Sequence, residues 1–287
     1  MFGIFDKIKE FFQDIFIGII QSNLEVMFVD INDKVTFVSS EVGKTPQSFN
    51  AEVFSFIKNI NDTVIIPIAG LIITAVLCIE LIQMVMNKNN MHDGDSFEFF
   101  KYIIKMAIAV YLVSHAFEFA MASFDVAQNL VVKAAGVINT SSNLSSSEFI
   151  SMIEALKQKE VGELIAIALE TSLVKMLIQG VSILITIIVY GRMFEIYVYS
   201  AVASIPFSTM GNKEWGSIGT NYIKGLFALA LQGLFLMICL GIYAVLIKTV
   251  NITDIHTSTF MILAYTILLG LMMLKSGTIA KSIMNAH

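Results

Sequence analysis

The sequence predicts an all-α integral membrane protein, and three observations predict it. Hydrophobic residues fill 56% of the 287 positions and charged residues only 14%, with a mean hydropathy of +0.77, whereas an ordinary soluble domain is about one quarter charged. The apolar residues gather into blocks that match the ~20 residues a helix needs to cross a hydrocarbon core. Short polar stretches separate those blocks. The pattern predicts about five transmembrane helices, an N-terminal amphipathic helix and a short interfacial or re-entrant helix.

The elements follow in order. Residues 1–60 form an N-terminal amphipathic helix and a segment outside the cytoplasm. In MFGIFDKIKEFFQDIFIGII, Phe5, Ile8, Phe12, Ile15, Phe16 and Ile19 recur at helical spacing while Asp6, Lys9, Gln13 and Asp14 fall elsewhere on the wheel, which describes a helix lying in the interface or docked on a partner. Its interspersed charges argue against a signal peptide. Residues 21–60 are mixed and polar and read as a soluble lead into the membrane. Residues 61–123 hold the first two spans, at about 64–86 and 103–123, joined by NKNNMHDGDSFEFFK. The stretch 124–163, with NTSSNLSSSEF at its centre, is the largest loop. Residues 164–287 carry the remaining spans, with a polar motif loop at 208–222. The apolar block 164–207 is too long for one span and awkward for two. Further spans fall at about 222–248 and 259–275.

Lys and Arg set orientation where they collect beside span ends. With five spans and the N-terminus outside, the inner face receives Lys88, Lys101, Lys105, Arg192, Lys213, Lys224, Lys275 and Lys281. The C-terminus is then cytoplasmic.

Charge inside lipid is costly enough that each instance asks for a partner or a polar cavity. Lys105, Lys224 and Lys248 sit near span ends and read as headgroup anchors. Arg192 and Glu195 share a helix face and are expected to pair. His115 and Glu118 have the same spacing and are expected to form a hydrogen-bonded pair at a helix or subunit contact; a proton relay is the sharper alternative. Glu80 with Gln83 suggests a polar stripe facing protein or water. Glu170 and Lys175 complete the intramembrane polar set.

Composition also excludes classes. A formal charge of −5 offers no basic field to grip a polyanion. Cys78 and Cys239 lie in apolar runs, so no disulfide, zinc site or thiol chemistry is expected. No metal-ligand, P-loop or nucleophile motif occurs. Neither an enzyme nor a cofactor is expected. Small residues at Ala201, Ala203, Ser204, Gly225, Ala228, Ala230 and Gly233 mark positions where helices can approach closely.

The block from Arg192 to Gln232, RMFEIYVYSAVASIPFSTMGNKEWGSIGTNYIKGLFALALQ, joins these features. It reads as a short helix at roughly 193–207 that stops near Pro206, where a proline breaks helical bonding, followed by a loop, GNKEWGSIGTN, that Trp215 anchors at the interface. Arg192, Glu195, the small-residue step into Pro206, Gly211, Trp215, Gly219, Lys224 and Gln232 resemble the most recognisable part of the TrbL/VirB-type polytopic membrane proteins of conjugative type IV secretion systems, especially those of Gram-positive elements. DTVIIPIAGLIITAVLCIELI at 62–82 also looks like that family's first span.

The resemblance implies a channel or scaffold subunit in the cytoplasmic membrane, acting by assembly. It implies a homo-oligomeric ring, expected to be a pentamer, set against a secretion ATPase and a coupling protein, with DNA carrying its relaxase as the translocated substrate. Lys213 and its neighbours are the expected docking loop. The competing expectation is a secondary transporter of a small solute or ion that uses Glu80, Glu118, Glu170 and Lys175.

Overall fold

The computed structural model describes residues 2–86, 95–139, 152–212, 214–250 and 254–286. Among these the chain is helical throughout: α1 (Phe2–Val42), α2 (Pro46–Phe49), α3 (Ala51–Ile60), a π turn (Asn61–Ile65), α4 (Ile66–Met86), α5 (Asp95–Ser114), α6 (Ala116–Asn139), α7 (Val161–Ala201), α8 (Ser204–Thr209), α9 (Gly216–Lys248) and α10 (Ile255–Ile283). Four helical stretches are long and apolar enough to cross a bilayer: Ala51–Met86, Val161–Ala201, Gly216–Lys248 and Ile255–Ile283. The bent pair Phe99–Ser114 and Ala116–Val137 brings the number to five if it counts as one span. The protein is an all-α integral membrane protein.

Two compact units share the chain. The first comprises Met1–Val42, Val131–Val189 and Phe235–Ser276. Here the expectation for residues 21–42 changes, because the mixed stretch is the second half of one 41-residue helix. Its buried positions Ile17, Ile20, Leu24, Met27, Val35, Val38 and Val42 follow a three-four spacing, and so do Leu164, Ile167, Thr171, Val174, Ile178, Ile185 and Val189 on α7. Such seams interlock as in a coiled coil. The polar contacts show the direction. Lys9 pairs with Glu160, Asn23 donates to Thr171 (3.3 Å) and Ser172 (2.9 Å), and Lys34 donates to Thr186 (3.4 Å). Both numbers rise together, so α1 and α7 run parallel. The buried Asn23 between apolar turns fixes their register, since a slip would strand its amide.

The second half of α9, from Phe235, and α10 as far as Ser276 complete this unit. They are antiparallel, with the Tyr243 hydroxyl bonded to Thr266 (3.0 Å). Asp254, just ahead of α10, accepts from the Thr257 hydroxyl (2.6 Å) and the His256 amide (3.3 Å). Those bonds to the charged form, Thr257's first, hold its carboxyl below the usual carboxylate range.

The second unit comprises Gly43–Leu130, Tyr190–Leu234 and Gly277–His287. Its core gathers Ala69, Ile73, Ala109, Ala120, Ala203 and Phe207 among others. The alanines let the short α8 pack against both α4 and α5. Two breaks shape the unit. At Pro67 the ring would strike the carbonyl of Thr63 four residues back, and the chain relaxes into the wider π turn, where the Ile66 amide reaches the carbonyl of Asn61. At His115 the expected second span bends by 67°. The Ser114 hydroxyl donates to the Val110 carbonyl and the His115 ring meets the Tyr111 carbonyl. Side chains competing for consecutive backbone carbonyls bend a helix without proline.

Candidate functional site

The chain is closely braced where α7 ends, inside the second unit. Helix α7 runs through Arg192 and Glu195 to Ala201, so the short helix expected at 193–207 begins instead at Ser204. Pro206 lies in its first turn, where the missing amide has no intrahelical partner to lose. It therefore helps to start α8 rather than to stop a helix.

Ending α7 leaves carbonyls without helical partners. The Asn61 side chain, buried in the π turn, donates to the Ala201 carbonyl (2.8 Å) and reaches the Ser204 hydroxyl (3.4 Å). One residue thus ties the break in the first span to the break after α7. Asn61→Ala is expected to destabilise the protein by about 1–3 kcal/mol, because it strands a buried acceptor. Thermal unfolding in detergent reads the change, with exposed Asn59→Ala as the unaffected comparison.

Aromatic contacts brace the opposite side. Tyr222 donates to the Tyr199 carbonyl (2.7 Å), and their rings stack at 5.1 Å. Phe207 meets Tyr222 edge-on and stacks against Phe119. Gly219 and Gly225 permit this approach. A Cβ on Gly219 would lie 2.6 Å from the Pro206 carbonyl oxygen and collide with Met210. One on Gly225 would lie 2.6 Å from the Tyr199 hydroxyl. Gly211 passes Ala109 at ordinary contact distance. The motif loop turns on Asn212, whose side chain accepts from the Glu214 (2.7 Å) and Trp215 (3.3 Å) amides to open α9. Trp215 is exposed, Lys224 half-buried, and Gln232 is buried with its amide against Gly277. Lys213 lies outside the described residues, as do 87–94 and 140–151, the centre of the stretch 124–163 that was expected to be a loop; residues 124–139 of that stretch continue α6.

The charged residues find partners other than those expected. Arg192 and Glu195 do not pair: Arg192 is 6% exposed and its Nε has no hydrogen-bond partner, while Glu195 faces outward. A shared face at three-residue spacing permits a bridge but does not require it, and the two side chains diverge between core and surface. His115 and Glu118 do not pair either. The His115 ring stacks on Tyr111 at 4.3 Å, and Glu118 bridges to Lys58 at 3.4 Å. The bend at His115 removes the straight helical face that would have aligned the two.

Lys105 is more than a headgroup anchor, since it forms an ion pair with Glu80. Glu170 pairs with His256, and Lys175 donates to Asn23 (3.2 Å). Among the described residues no group of three or more His, Cys, Asp or Glu side chains converges as a metal site would require. The sequence does not mark Asn23, Lys58, Asn61 or His256 as partners of these groups. Their one signal was polarity beside apolar runs, which names no mate.

Fold and site together define a multi-pass helical membrane protein with a short helix wedged between membrane helices and capped by an asparagine from a π turn. The chain belongs to the family described as TrbL/VirB6 plasmid conjugal transfer like protein, whose model matches residues 31–204, more than half its length. The match ends at the first residue of α8, so Pro206 through Gln232 lie beyond it. No curated protein and no solved structure matches the chain.

Proposed function

We propose that this protein is a scaffold and channel subunit of a conjugative type IV secretion apparatus, supporting passage of a DNA–relaxase substrate across the cytoplasmic membrane by assembling with copies of itself. The observation that carries the reading is the family match across 31–204 on a multi-pass helical chain. The proposed arrangement has the N-terminus outside and the C-terminus in the cytoplasm, and the 208–222 segment, from the end of α8 into the start of α9, meets the secretion ATPase and coupling protein. A ring, proposed to be a pentamer, is its assembled form. The four residues a solute transporter would use are held by four different partners, Lys105, Lys58, His256 and Asn23. Each is thus engaged in a pairing of its own, which favours assembly over coupled transport.

Deleting the gene from its mobile element is expected to abolish DNA transfer while replication of the element continues. Supplying the intact chain in trans is expected to restore transfer. Undiminished transfer by the deletion strain would refute the proposal.

A further inference from the structure

Three helices that run through the first unit carry long charge-free stretches there: 176–189 on α7, 235–247 on α9 and 257–274 on α10. Their contacts put these runs at one level. A Cβ on Gly270 would meet Val181 at 2.9 Å and Leu184 at 3.7 Å, and Thr266 holds Tyr243. Polar groups mark one edge of this slab, where Glu170 pairs with His256 beside Asp254, with Lys248 at the end of α9. Thirteen residues of α7 separate Glu170 from Ile183, so Ile183 lies roughly 20 Å inside that edge at 1.5 Å per residue, near the middle of a ~30 Å hydrocarbon core.

Helix α1 runs parallel to α7 through this slab and is not apolar. Lys34 bonds to Thr186 and lies over the Phe37 ring at 5.3 Å, which places its neighbour Asp33 at the level of Ile183. Opposite the buried seam, Ser22, Glu25, Asp33, Thr36 and Ser40 follow one another at three- and four-residue spacing, and all are exposed. Only Val29 interrupts them. The outward face of α7 at the same depth is wholly different, with Leu173, Met176, Ile183 and Ile187 each more than 60% exposed. One face of the unit thus suits lipid and the other does not.

We infer that the Ser22–Ser40 face of α1 lines a water-filled passage through the membrane. Lipid would leave the Asp33 carboxylate without solvation and the Glu25 carboxylate with only the bond it accepts from the Gln21 amide (2.8 Å). The same face of a second copy would set these carboxylates against each other. Water satisfies both groups, and the acidic lining favours cations and polar solutes without gripping a polyanion. The inference rests on the spanning of α7, α9 and α10 and not on the transfer role, so either can fail without the other.

The test uses the full-length chain in cell membranes, with Cys78 and Cys239 changed to Ser and single cysteines introduced as Ser22→Cys, Asp33→Cys, Ser40→Cys, Ile183→Cys or Ile187→Cys. The probe is a membrane-impermeant maleimide, which needs hydrated thiolate to react. Labelling at 22, 33 and 40 is expected to be about tenfold or more faster than at 183 and 187. Two results would overturn the inference. Equal labelling at 33 and 183 would put the pair outside lipid. Protection of 33, relieved only by denaturation, would show that protein covers the face. The near-isosteric Ser→Cys positions keep the test readable if Asp33→Cys misfolds.

Discussion

Gly219→Ala is expected to be among the most damaging single-methyl changes in this chain. The added Cβ would lie 2.6 Å from the Pro206 carbonyl oxygen and collide with the Met210 side chain. Methionine can swing aside, but the carbonyl belongs to the backbone of α8, itself packed against α4 and α5. The start of α9 must then retreat, loosening the Tyr199–Tyr222 stack and the Phe207 contact that depend on its position. Overpacking of this kind costs about 1–3 kcal/mol, and more where backbone must move. Gly180→Ala is the matched comparison, because nothing lies within 4 Å of its added carbon. That change should raise stability slightly, by up to about 1 kcal/mol, through helix propensity alone. Thermal unfolding of both variants in detergent reads the contrast, and equal melting temperatures would mean that the close approach of α8 and α9 is wrong.

Arg192→Met is expected to stabilise the isolated protein, against the usual direction of core substitutions. The guanidinium is buried, its Nε is unpartnered, and Glu195, the acid nearest in sequence, faces away. A buried cation without a mate retains its desolvation penalty and gains no ion-pair energy. Methionine keeps much of the apolar stem and removes the charge, and comparable replacements of buried charge by hydrophobic residues give gains of up to about 1–4 kcal/mol. The melting temperature should rise. If DNA transfer falls in the same variant, Arg192 meets its counter-charge only in the assembled apparatus. A fall in melting temperature of the purified protein would show instead that the guanidinium is satisfied within the chain.

Hydropathy made much of the architecture legible. The runs behind α4, α7, α9 and α10 stand out as apolar blocks, and the match to the conjugal transfer family covers the first span and Arg192 to Ser204, two of the stretches that carry the resemblance. The breaks were harder to place. Pro206 drew attention as a helix stop, yet a proline is equally suited to a first turn, and only the position of Ala201 under Asn61 decides which. The bend at His115 has no proline or glycine to announce it, because it comes from serine and histidine side chains bonding to the preceding turn. Helix α1 beyond residue 20 is illegible in the sequence for a related reason. A helix whose seam docks on another needs only a narrow apolar stripe, and scattered charges conceal that stripe from any average over a window.

By itself, the sequence determined that this chain lives in a membrane, where its charge-free runs fall, and what family it joins. Those properties are sums over neighbouring residues, and a linear string contains them. Tertiary structure alone decided that Asn23 meets Thr171 and Lys175, that Glu170 meets His256, that Lys58 answers Glu118, and that the Arg192 Nε finds no partner among the described residues. Each of those outcomes joins residues distant in the chain or turns neighbours away from each other. What selects them is the docking of whole helices, in which a few buried polar atoms must find partners wherever the packing has put them.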